Sequence, residues 1–456
     1  MLIKKILKAR TVGMATVLLP LSILTGCSSI CVDPDPRVCP PGQTYTGSPR
    51  IEERPLSGPP AQAAPAPAPL PATPQANPAD GIQTAPIQLF DRDAPESGNQ
   101  QGPPAAATAP ASGAAPGAAG ARIALLLPIN SASLGGAAES VRAGFMAGYE
   151  RDGSGLQVEV VATGDSTQET LDAYARAAAS HDVVVGPLPR SAVTALAASG
   201  AVARPTIALN HPEARGALPP GMLVAGLSTE DEAAQVADWA AREHPQGRAL
   251  LLTGASAWAQ RAAAAFESRW SAQGRTSQRF EVPSTEGRVE PAAIDSLKTR
   301  LEIDPPEVLF AALDVVELRQ VVAQTGGQTC AAIACYGGSS VNPGRTPGMG
   351  MMELDGLRLV DIPWLVRPDA SAVMVYPRPD ENTQPLYMSR LYALGIDAFR
   401  VAREVALRPG APLAIDGVTG RLSTAGDASR ATLRRLETPA VYRDGDFQPA
   451  DRESGG

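Results

Sequence analysis

Beyond residue 120 the chain alternates between short apolar runs and longer amphipathic segments. The run IALLLPI (123–129) is apolar throughout, which is typical of a strand buried on both faces. The segment 135–149 carries its apolar residues near one face and predicts a helix. Later apolar runs predict strands at 158–163, 182–188, 206–210 and 222–228. This alternation predicts a parallel sheet covered by helices.

A second block repeats the alternation. It opens with Thr229-Glu230-Asp231-Glu232, a capping-box pattern that predicts a helix start, as Ser166 to Glu169 does in the first block. A long helix is predicted over 385–407. The apolar runs of this block predict strands at 249–254, 278–283, 307–313, 331–337 and 354–363.

Two doubly wound lobes with several crossings between them define an α/β, type I periplasmic-binding-protein-like fold. We assign this domain to 121–450 and predict a disordered tail at 451–456. The predicted lobes are about 121–227 plus 364–412 for lobe 1, and about 228–363 plus the C-terminal segment for lobe 2.

The ligand crevice of such a fold lies beyond the carboxyl ends of the strands. Solute binding, with an amino-acid-like ligand, is therefore an alternative function. Ser131, Ser191 and Ser256 stand near predicted helix starts and could bind such a ligand, but N-cap serines are also ordinary structural residues. The candidate cleft-lining residues are Asn130, Ser131, Gly186, Asn210, His211, Thr253 and Tyr336.

The N-terminus has the pattern of an exported lipoprotein. The first ten residues are rich in lysine and arginine, and the apolar segment after them is shorter than the roughly 20 residues of a membrane-spanning helix. Leu-Thr-Gly-Cys at 24–27 resembles the lipobox of bacterial lipoproteins. The resemblance implies a signal peptide over 1–26 and lipidation of Cys27. Ser28, in place of aspartate, favours the outer membrane and a domain that faces the periplasm. An ordinary signal peptide with a chance cysteine is the alternative.

Residues 27–120 are rich in proline, alanine and glycine and lack apolar periodicity. Such a composition does not bury enough apolar surface to offset the entropy of ordering. We predict a disordered, partly polyproline-II tether. Fully extended, residues 28–120 would span about 290 Å, and as a loose coil about 50–60 Å.

The charge of the chain excludes one class of function. The formal net charge of −8 argues against nucleic-acid binding, which needs a basic surface.

Four cysteines besides Cys27 could form disulfides. Cys31 and Cys39 flank a flexible stretch and could pair in an oxidising periplasm. Cys330 and Cys335 fall in a predicted strand, which would separate their Cα atoms by about 16 Å, beyond the ~7 Å reach of a disulfide. They could pair only if Cys330 lies in the preceding loop, so we expect two free thiols.

Catalysis is not indicated. The sequence has no G-x-S-x-G, S-x-x-K, H-E-x-x-H or P-loop motif. His181 and His244 lie at the ends of predicted elements and His211 lies in a turn, so no base, nucleophile and orienting partner can be assembled. We expect a protein that is not an enzyme, with no metal and no cofactor besides the lipid on Cys27.

The loop NPGRTPGMGMM (342–352) is the main irregular segment of the second block. Its methionines, Met349, Met351 and Met352, offer an adaptable apolar surface for a partner protein. Packing of these methionines into the core is an equal alternative. Trp364 is predicted to pack inside the domain.

Several segments resemble one known family. They are IALLLPIN (123–130), VVVGPL (183–188), IALNHPE (207–213), GLSTEDEA (226–233), LDGLRLVDIPWL (354–365), MSRLYALGIDAF (388–399) and DGVTGRLS (416–423). They are similar, in order over roughly 122–450, to the C-terminal domain of the LppC/LpoA lipoproteins. The resemblance implies an outer-membrane lipoprotein that activates a class A, bifunctional penicillin-binding protein and so stimulates peptidoglycan cross-linking. Longer members carry a helical-repeat domain ahead of this one. Nothing between Cys27 and Gly120 is predicted to fold that way, which suggests a short form whose tether supplies the reach.

Overall fold

The alternation of strands and helices beyond residue 120 is confirmed in the structure. It is a computed structural model that describes residues 120–213, 216–327, 329–345, 351–379, 385–425 and 432–450. The predicted signal peptide, the lipidation site Cys27, the tether, the pair Cys31 and Cys39, and the tail lie outside the described residues.

The first lobe is built on a parallel five-stranded sheet with the strand order β2-β1-β3-β4-β5. Its elements are β1 (Ala121–Leu127), α1 (Gly135–Asp152), β2 (Leu156–Ala162), α2 (Thr167–Ser180), β3 (Val183–Val185), α3 (Arg190–Ser199), β4 (Thr206–Ala208) and β5 (Met222–Val224). Ile123, Leu125 and Leu127 belong to one hydrophobic cluster, and Ala124 and Leu126 belong to another. Burial on both faces explains why this strand is apolar throughout.

The second lobe repeats the arrangement. Its elements are α4 (Thr229–Glu243), β6 (Ala249–Thr253), α5 (Ala257–Ser271), β7 (Ser277–Glu281), β8 (Ser284–Thr285), β9 (Arg288–Val289), α6 (Pro291–Ile303), β10 (Val308–Ala312), α7 (Val315–Gln324), α8 (Thr329–Ala332), β11 (Ala334–Gly337) and β12 (Arg358–Asp361), with 3-10 turns at Ser339–Val341 and Met352–Leu354. The parallel strands lie in the order β7-β6-β10-β11-β12, and β8 and β9 form a separate hairpin.

The chain then returns to lobe 1 and finally to lobe 2. The remaining elements are α9 (Pro363–Val366), α10 (Ser371–Met374), α11 (Leu386–Leu407), β13 (Ala414–Gly417), β14 (Gly420–Ala425), β15 (Thr432–Leu436), β16 (Thr438–Arg443) and β17 (Asp446–Pro449). Strand β16 extends the lobe 2 sheet antiparallel to β12, and β17 pairs antiparallel with β16 at the edge. Leu413, Ile415 and Leu422 pack in the lobe 1 core. The core of lobe 1 therefore continues past residue 412, the predicted end of the second lobe 1 segment.

Helices α1 and α11 touch backbone to backbone. A Cβ atom on Gly144 would lie 1.8 Å from the carbonyl oxygen of Tyr392, and a Cβ atom on Gly395 would lie 2.1 Å from that of Val141. Only glycine fits at these two positions. The close approach holds the returning helix α11 firmly on lobe 1.

The strand predicted over 331–337 begins only at Ala334, because residues 329–332 form helix α8. This brings the Cα atoms of Cys330 and Cys335 to 5.0 Å, and the two residues form a disulfide. The expectation of free thiols was wrong because it placed Cys330 in extended backbone. The strand predicted over 354–363 is likewise reduced to β12, after a 3-10 turn.

Three crossings join the lobes: residues 225–228 between β5 and α4, Ile362 between β12 and α9, and Glu437 between β15 and β16. The first two leave the carboxyl ends of their strands, which is the side of the predicted crevice. Within the described residues, no helix combines the length and the apolar character needed to cross a bilayer.

Candidate functional site

The three crossings meet around a set of charged side chains that we call the junction cluster: Glu232, Asp361, Arg390, Arg435 and Glu437. Three of them are carboxylic acids with exposed fractions of 4%, 1% and 5% for Glu232, Asp361 and Glu437. The two arginines are partly buried. Buried charges are costly unless they are paired and hydrogen-bonded. The cluster is therefore stable only if its charges are paired and hydrogen-bonded within the junction.

Arg390 of α11 and Asp361 at the end of β12 form the central ion pair. Nη2 of Arg390 lies 2.5 Å from Oδ2 of Asp361, and Nε lies 3.2 Å from Oδ1. Asp361 also accepts the side-chain N–H of Asn342 at 2.6 Å and the backbone N–H of Ile362 at 2.7 Å. Burial, the largest single influence, lowers the pKa of Arg390, but the charge and hydrogen bonds of Asp361 together with the charges of Glu232 and Glu437 outweigh it, so the pKa is raised.

Glu232 lies in the first turns of α4. Its carboxylate accepts the backbone N–H of Ser339 at 2.8 Å and the Ser339 hydroxyl at 3.0 Å. Burial, reinforced by the negative charge of Asp361, raises the pKa of Glu232 to about 7. The predicted capping box of this helix was misplaced by one residue, because Ser228 is the N-cap and accepts the N–H of Asp231 at 3.0 Å.

Arg435 and Glu437 stand at the third crossing. Arg435 donates to the carbonyl oxygens of Ala225 at 2.5 Å and Gly226 at 2.7 Å, so it ties the third crossing to the first. Burial lowers the pKa of Arg435. The carboxylate oxygen Oε2 of Glu437 is buried without a hydrogen-bond partner. Burial and the charge of Glu232 raise the pKa of Glu437 well above its ordinary value.

A fourth buried acid, Asp397 of α11, adjoins the cluster. It accepts the N–H groups of Val418 at 3.1 Å and Thr419 at 2.7 Å, and the Thr419 hydroxyl at 2.6 Å. Nε of Arg435 donates to that same hydroxyl at 3.1 Å. The turn between β13 and β14 is thereby fixed against both α11 and the third crossing.

Among the predicted cleft residues of lobe 1, Asn130 is exposed, and Ser131, Gly186 and Asn210 make structural contacts. Ser131 accepts the N–H of Leu134 at 2.8 Å just before α1. A Cβ atom on Gly186 would lie 2.2 Å from the carbonyl oxygen of Leu126, so this glycine permits close packing of the strand end. Asn210 donates to the carbonyl oxygen of Leu188 at 3.2 Å.

His211 lies at the junction. Its Nε2 atom is 3.1 Å from the carbonyl oxygen of Gly226, the same oxygen that Arg435 binds. A Cβ atom on Gly226 would lie 2.7 Å from Cα of Asn210, so glycine is required at this crossing. His211 thus helps to hold the first crossing. Its contacts given for the described residues, with Asn210 and Gly226, include no nucleophilic side chain.

Thr253 and Tyr336 are in the core of lobe 2 and do not line a cleft. Thr253 is buried, and its hydroxyl faces the carbonyl oxygen of Leu251 at 3.4 Å. The buried ring of Tyr336 packs edge-to-face on Trp239 at 5.3 Å, and its hydroxyl donates to Glu243. Glu243 ends α4, far along the helix from Glu232, so Tyr336 points away from the crossings.

The methionines of the 342–352 loop lie in different environments. Met351 packs against the lobe 2 core, whereas Met352 is 77% exposed, and Met349 lies outside the described residues. The 3-10 turn of Met352 packs against α7, where Val316 is 54% exposed. Met352 and Val316 are therefore exposed apolar residues on two elements of lobe 2 that contact each other. Trp364 is fully buried, as predicted.

The junction cluster was not predicted, although charges inside largely apolar segments indicate it. Asp361 follows the mostly apolar GLRLV, and Arg390 and Asp397 interrupt a largely apolar helix. These residues also lie in the segments that carry the family resemblance: LDGLRLVDIPWL, MSRLYALGIDAF and GLSTEDEA with Glu232. Segments distant in sequence thus converge on one place.

The fold and the junction define a two-lobed, periplasmic-binding-protein-like domain. A family model described as "LppC putative lipoprotein" matches residues 118–444. The chain belongs to the LppC family.

Two curated relatives are penicillin-binding protein activators named LpoA. The one from Photobacterium profundum is 24% identical over 358 residues, which are 72% of this chain and 57% of the relative. The one from an Enterobacter species is 24% identical over 306 residues, which are 59% of this chain and 41% of the relative. The chain thus spans about half the length of the curated relatives it matches.

Solved structures share the fold. The LpoA (YraM) C-domain from Haemophilus influenzae, a regulator of PBP1A, has a TM-score of 0.57 and 22% identity, with coverage of 72% of this chain and 100% of that one. Full-length LpoA from the same organism has a TM-score of 0.58 and 21% identity, with coverage of 73% and 59%. A putative branched-chain amino acid ABC transporter from Chromobacterium violaceum ATCC 12472 has a TM-score of 0.56 and 31% identity, with coverage of 71% and 100%.

Proposed function

We propose that this chain is an outer-membrane lipoprotein that activates a class A, bifunctional penicillin-binding protein and catalyses no reaction itself. The observation that carries the proposal is the family match over 118–444. The likeness to a C-domain that regulates PBP1A supports it, because the chain covers the whole of that domain. In this proposal the two-lobed domain contacts the synthase and stimulates peptidoglycan cross-linking.

The anchor and the tether complete the proposal. Lipid on Cys27 holds the N-terminus in the outer membrane, and the proline-rich residues 28–120 give the domain its reach towards the synthase. Deletion of most of this stretch in cells is expected to abolish activation while the protein remains at the membrane. Undiminished activation by the shortened protein would refute the spacer role.

The direct test uses the full chain and a purified class A penicillin-binding protein. We expect the chain to increase the rate of cross-linking, measured from the muropeptides formed from lipid-linked precursor. The synthase alone and the synthase with a heat-denatured sample of the chain are the controls. An unchanged rate at a saturating concentration of the chain would refute activation of that synthase.

Solute binding remains the second candidate, because the transporter structure from C. violaceum is 31% identical over its whole length. The cavity between Glu232, Trp258 and Gly338, at the carboxyl ends of lobe 2 strands, has a volume of about 10 Å³, which suits about one water molecule. Its lining comes from lobe 2 alone, so the choice between the two candidates rests on a binding experiment.

A thermal-shift measurement separates the two candidates. Leucine, isoleucine and valine, added to the full chain at millimolar concentration, are expected to leave the midpoint of unfolding unchanged. A ligand that binds the folded state raises that midpoint, and the rise continues with the logarithm of ligand concentration above Kd. A concentration-dependent rise would support solute binding instead.

A further inference from the structure

The junction cluster holds unequal numbers of buried charges. Glu232, Asp361 and Glu437 supply three carboxyl groups, and Arg390 and Arg435 supply two cations. If all three acids were ionised, one negative charge would remain uncompensated inside the domain. An unpaired buried charge is strongly unfavourable, so one of the acids must hold a proton in the arrangement described.

The neighbouring titratable groups do not supply the missing positive charge. Asp397 of α11 is already satisfied by Val418, Thr419 and, at 3.4 Å, Arg400. Asp231 of α4 is exposed to solvent. His211, the remaining titratable group at the first crossing, contacts a backbone carbonyl oxygen.

The proton belongs to Glu232 and Glu437. Both carboxylate oxygens of Asp361 are already engaged, because it accepts two hydrogen bonds from Arg390 and two more from Asn342 and Ile362. Glu437, by contrast, has a buried oxygen with no partner. Burial and the negative charge of Glu232 raise the pKa of Glu437, and burial and the negative charge of Asp361 raise the pKa of Glu232.

We propose that the interlobe junction is a proton-controlled latch. With one proton on the pair Glu232 and Glu437, the buried acids and arginines balance, and the three crossings are held as described. When that proton leaves, the two carboxylates repel and the excess charge draws water into the junction. The crossings then loosen, and the lobes move relative to each other about them.

The test is amide hydrogen exchange of the full chain from below pH 4.5 to above neutral pH, corrected for the intrinsic exchange rate. Two amides report on the junction directly: Ser339, which donates to Glu232, and Glu437, which donates to Gln235 at 2.9 Å. We expect the protection of both to fall by up to about tenfold for each pH unit between 4.5, the ordinary pKa of glutamate, and the raised pKa of the pair, and to level off above it. The central amides of β1 serve as an internal reference and are expected to keep their protection. Unchanged protection at Ser339 and Glu437 in the wild-type chain would overturn the latch without any variant.

Variants identify the groups responsible. Glu437→Gln and Glu232→Gln each keep the shape of the side chain without its charge, so the pH dependence of protection is expected to disappear in both. Asp231→Asn is the matched control, since it removes an exposed acid next to Glu232, and it is expected to keep the wild-type pH dependence. Wild-type behaviour in both glutamine variants would refute the assignment of the proton to this pair. Far-ultraviolet circular dichroism confirms that each variant is folded.

Discussion

Arg390 and Asp361 join the two lobes through a two-point ion pair, with nitrogen–oxygen distances of 2.5 and 3.2 Å. Arg390 comes from the helix that packs on lobe 1, and Asp361 ends the last parallel strand of lobe 2. Arg390 also donates to the carbonyl oxygen of Ser339 at 2.9 Å. One side chain thus holds both the second crossing and the loop that binds Glu232.

Replacing Arg390 by alanine is expected to destabilise the domain strongly. The substitution leaves Asp361 buried without its cation, which costs about 3–5 kcal/mol in comparable buried pairs. Urea denaturation of the wild type and Arg390→Ala measures the difference. The control is Arg269→Ala, which breaks an exposed ion pair with Asp238 at 2.6 Å and should cost at most about 1 kcal/mol. Equal losses in the two variants would contradict a central role for Arg390.

The contact between α1 and α11 makes a second prediction. Gly395→Ala places a methyl group 2.1 Å from a backbone oxygen, which cannot move without separating the helices. We expect a loss of at least about 1–3 kcal/mol in unfolding free energy, the usual range for overpacked cores. Gly136→Ala in α1 is the matched helical control, because its Cβ atom would meet only the end of the Met388 side chain at 3.5 Å. A Gly395→Ala variant as stable as Gly136→Ala would show that the helices are not in backbone contact.

The disulfide between Cys330 and Cys335 closes a short loop and is expected to contribute about 2 kcal/mol. The double variant Cys330→Ala/Cys335→Ala should lose about that amount in urea denaturation. A reducing agent should destabilise the wild type by a similar amount and leave the double variant unaffected. Thiol titration of the unfolded, unreduced protein that finds both cysteines free would refute the pairing.

The architecture could be predicted from the sequence because each lobe shows its pattern locally. Strand β1 needs two apolar faces, and IALLL supplies them, while the helices show their own periodicity. The disulfide was missed because an apolar CAAIAC run fits a strand as well as a short helix. Periodicity alone does not separate the two over so few residues.

The candidate site was harder to predict, because it is made by contacts between distant segments. Glu232 fits a capping box in sequence, and only the position of Ser339 reveals that its carboxylate is buried. Arg435 looks like one more surface arginine of an edge strand until the carbonyl oxygens of Ala225 and Gly226 are found beside it. Tyr336 was assigned to the cleft from its position near a strand end, whereas its ring turns to the opposite end of α4. The position of a strand end predicts which region of the domain a residue lies in, but it does not predict the direction in which the side chain points.

The raised pKa of Glu232 predicts how stability depends on pH. In the folded state its pKa is about 7 against an ordinary value of 4.5, so the folded state binds this proton more tightly than the unfolded state. The resulting stabilisation is fully present below about pH 4.5 and is lost as the pH rises through about 7, with a total on the order of 3 kcal/mol. Glu232→Gln mimics the protonated form. It should therefore gain stability relative to the wild type between about pH 5 and about pH 8 in urea denaturation. A difference between the two proteins that does not change with pH would contradict the raised pKa.

Under the proposed function, Met352 and Val316 are the exposed apolar residues of lobe 2 where we expect the penicillin-binding protein to bind. Both side chains are more than half exposed. In sequence, each lies within three residues of a partner in the ion pair between Arg319 and Glu353, at 2.8 Å. Apolar anchors beside a polar rim are typical of protein interfaces. Met352→Glu and Val316→Glu are each expected to weaken binding of the full chain to the penicillin-binding protein by about tenfold, measured by biolayer interferometry, because a charge would be buried at the contact.

The matched control for this surface is Ile303→Glu, at the end of α6, where the side chain is 78% exposed. It introduces the same charge at a similarly exposed apolar position of the same lobe and is expected to leave both binding and cross-linking stimulation unchanged. All three substitutions lie on the surface, where changes in unfolding free energy usually stay within about 0.5 kcal/mol, so a loss of binding reports on the contact. If Ile303→Glu weakens binding as much as Met352→Glu does, the effect comes from the added negative charge on lobe 2. If none of the three changes binding, the synthase contacts a different face of the domain.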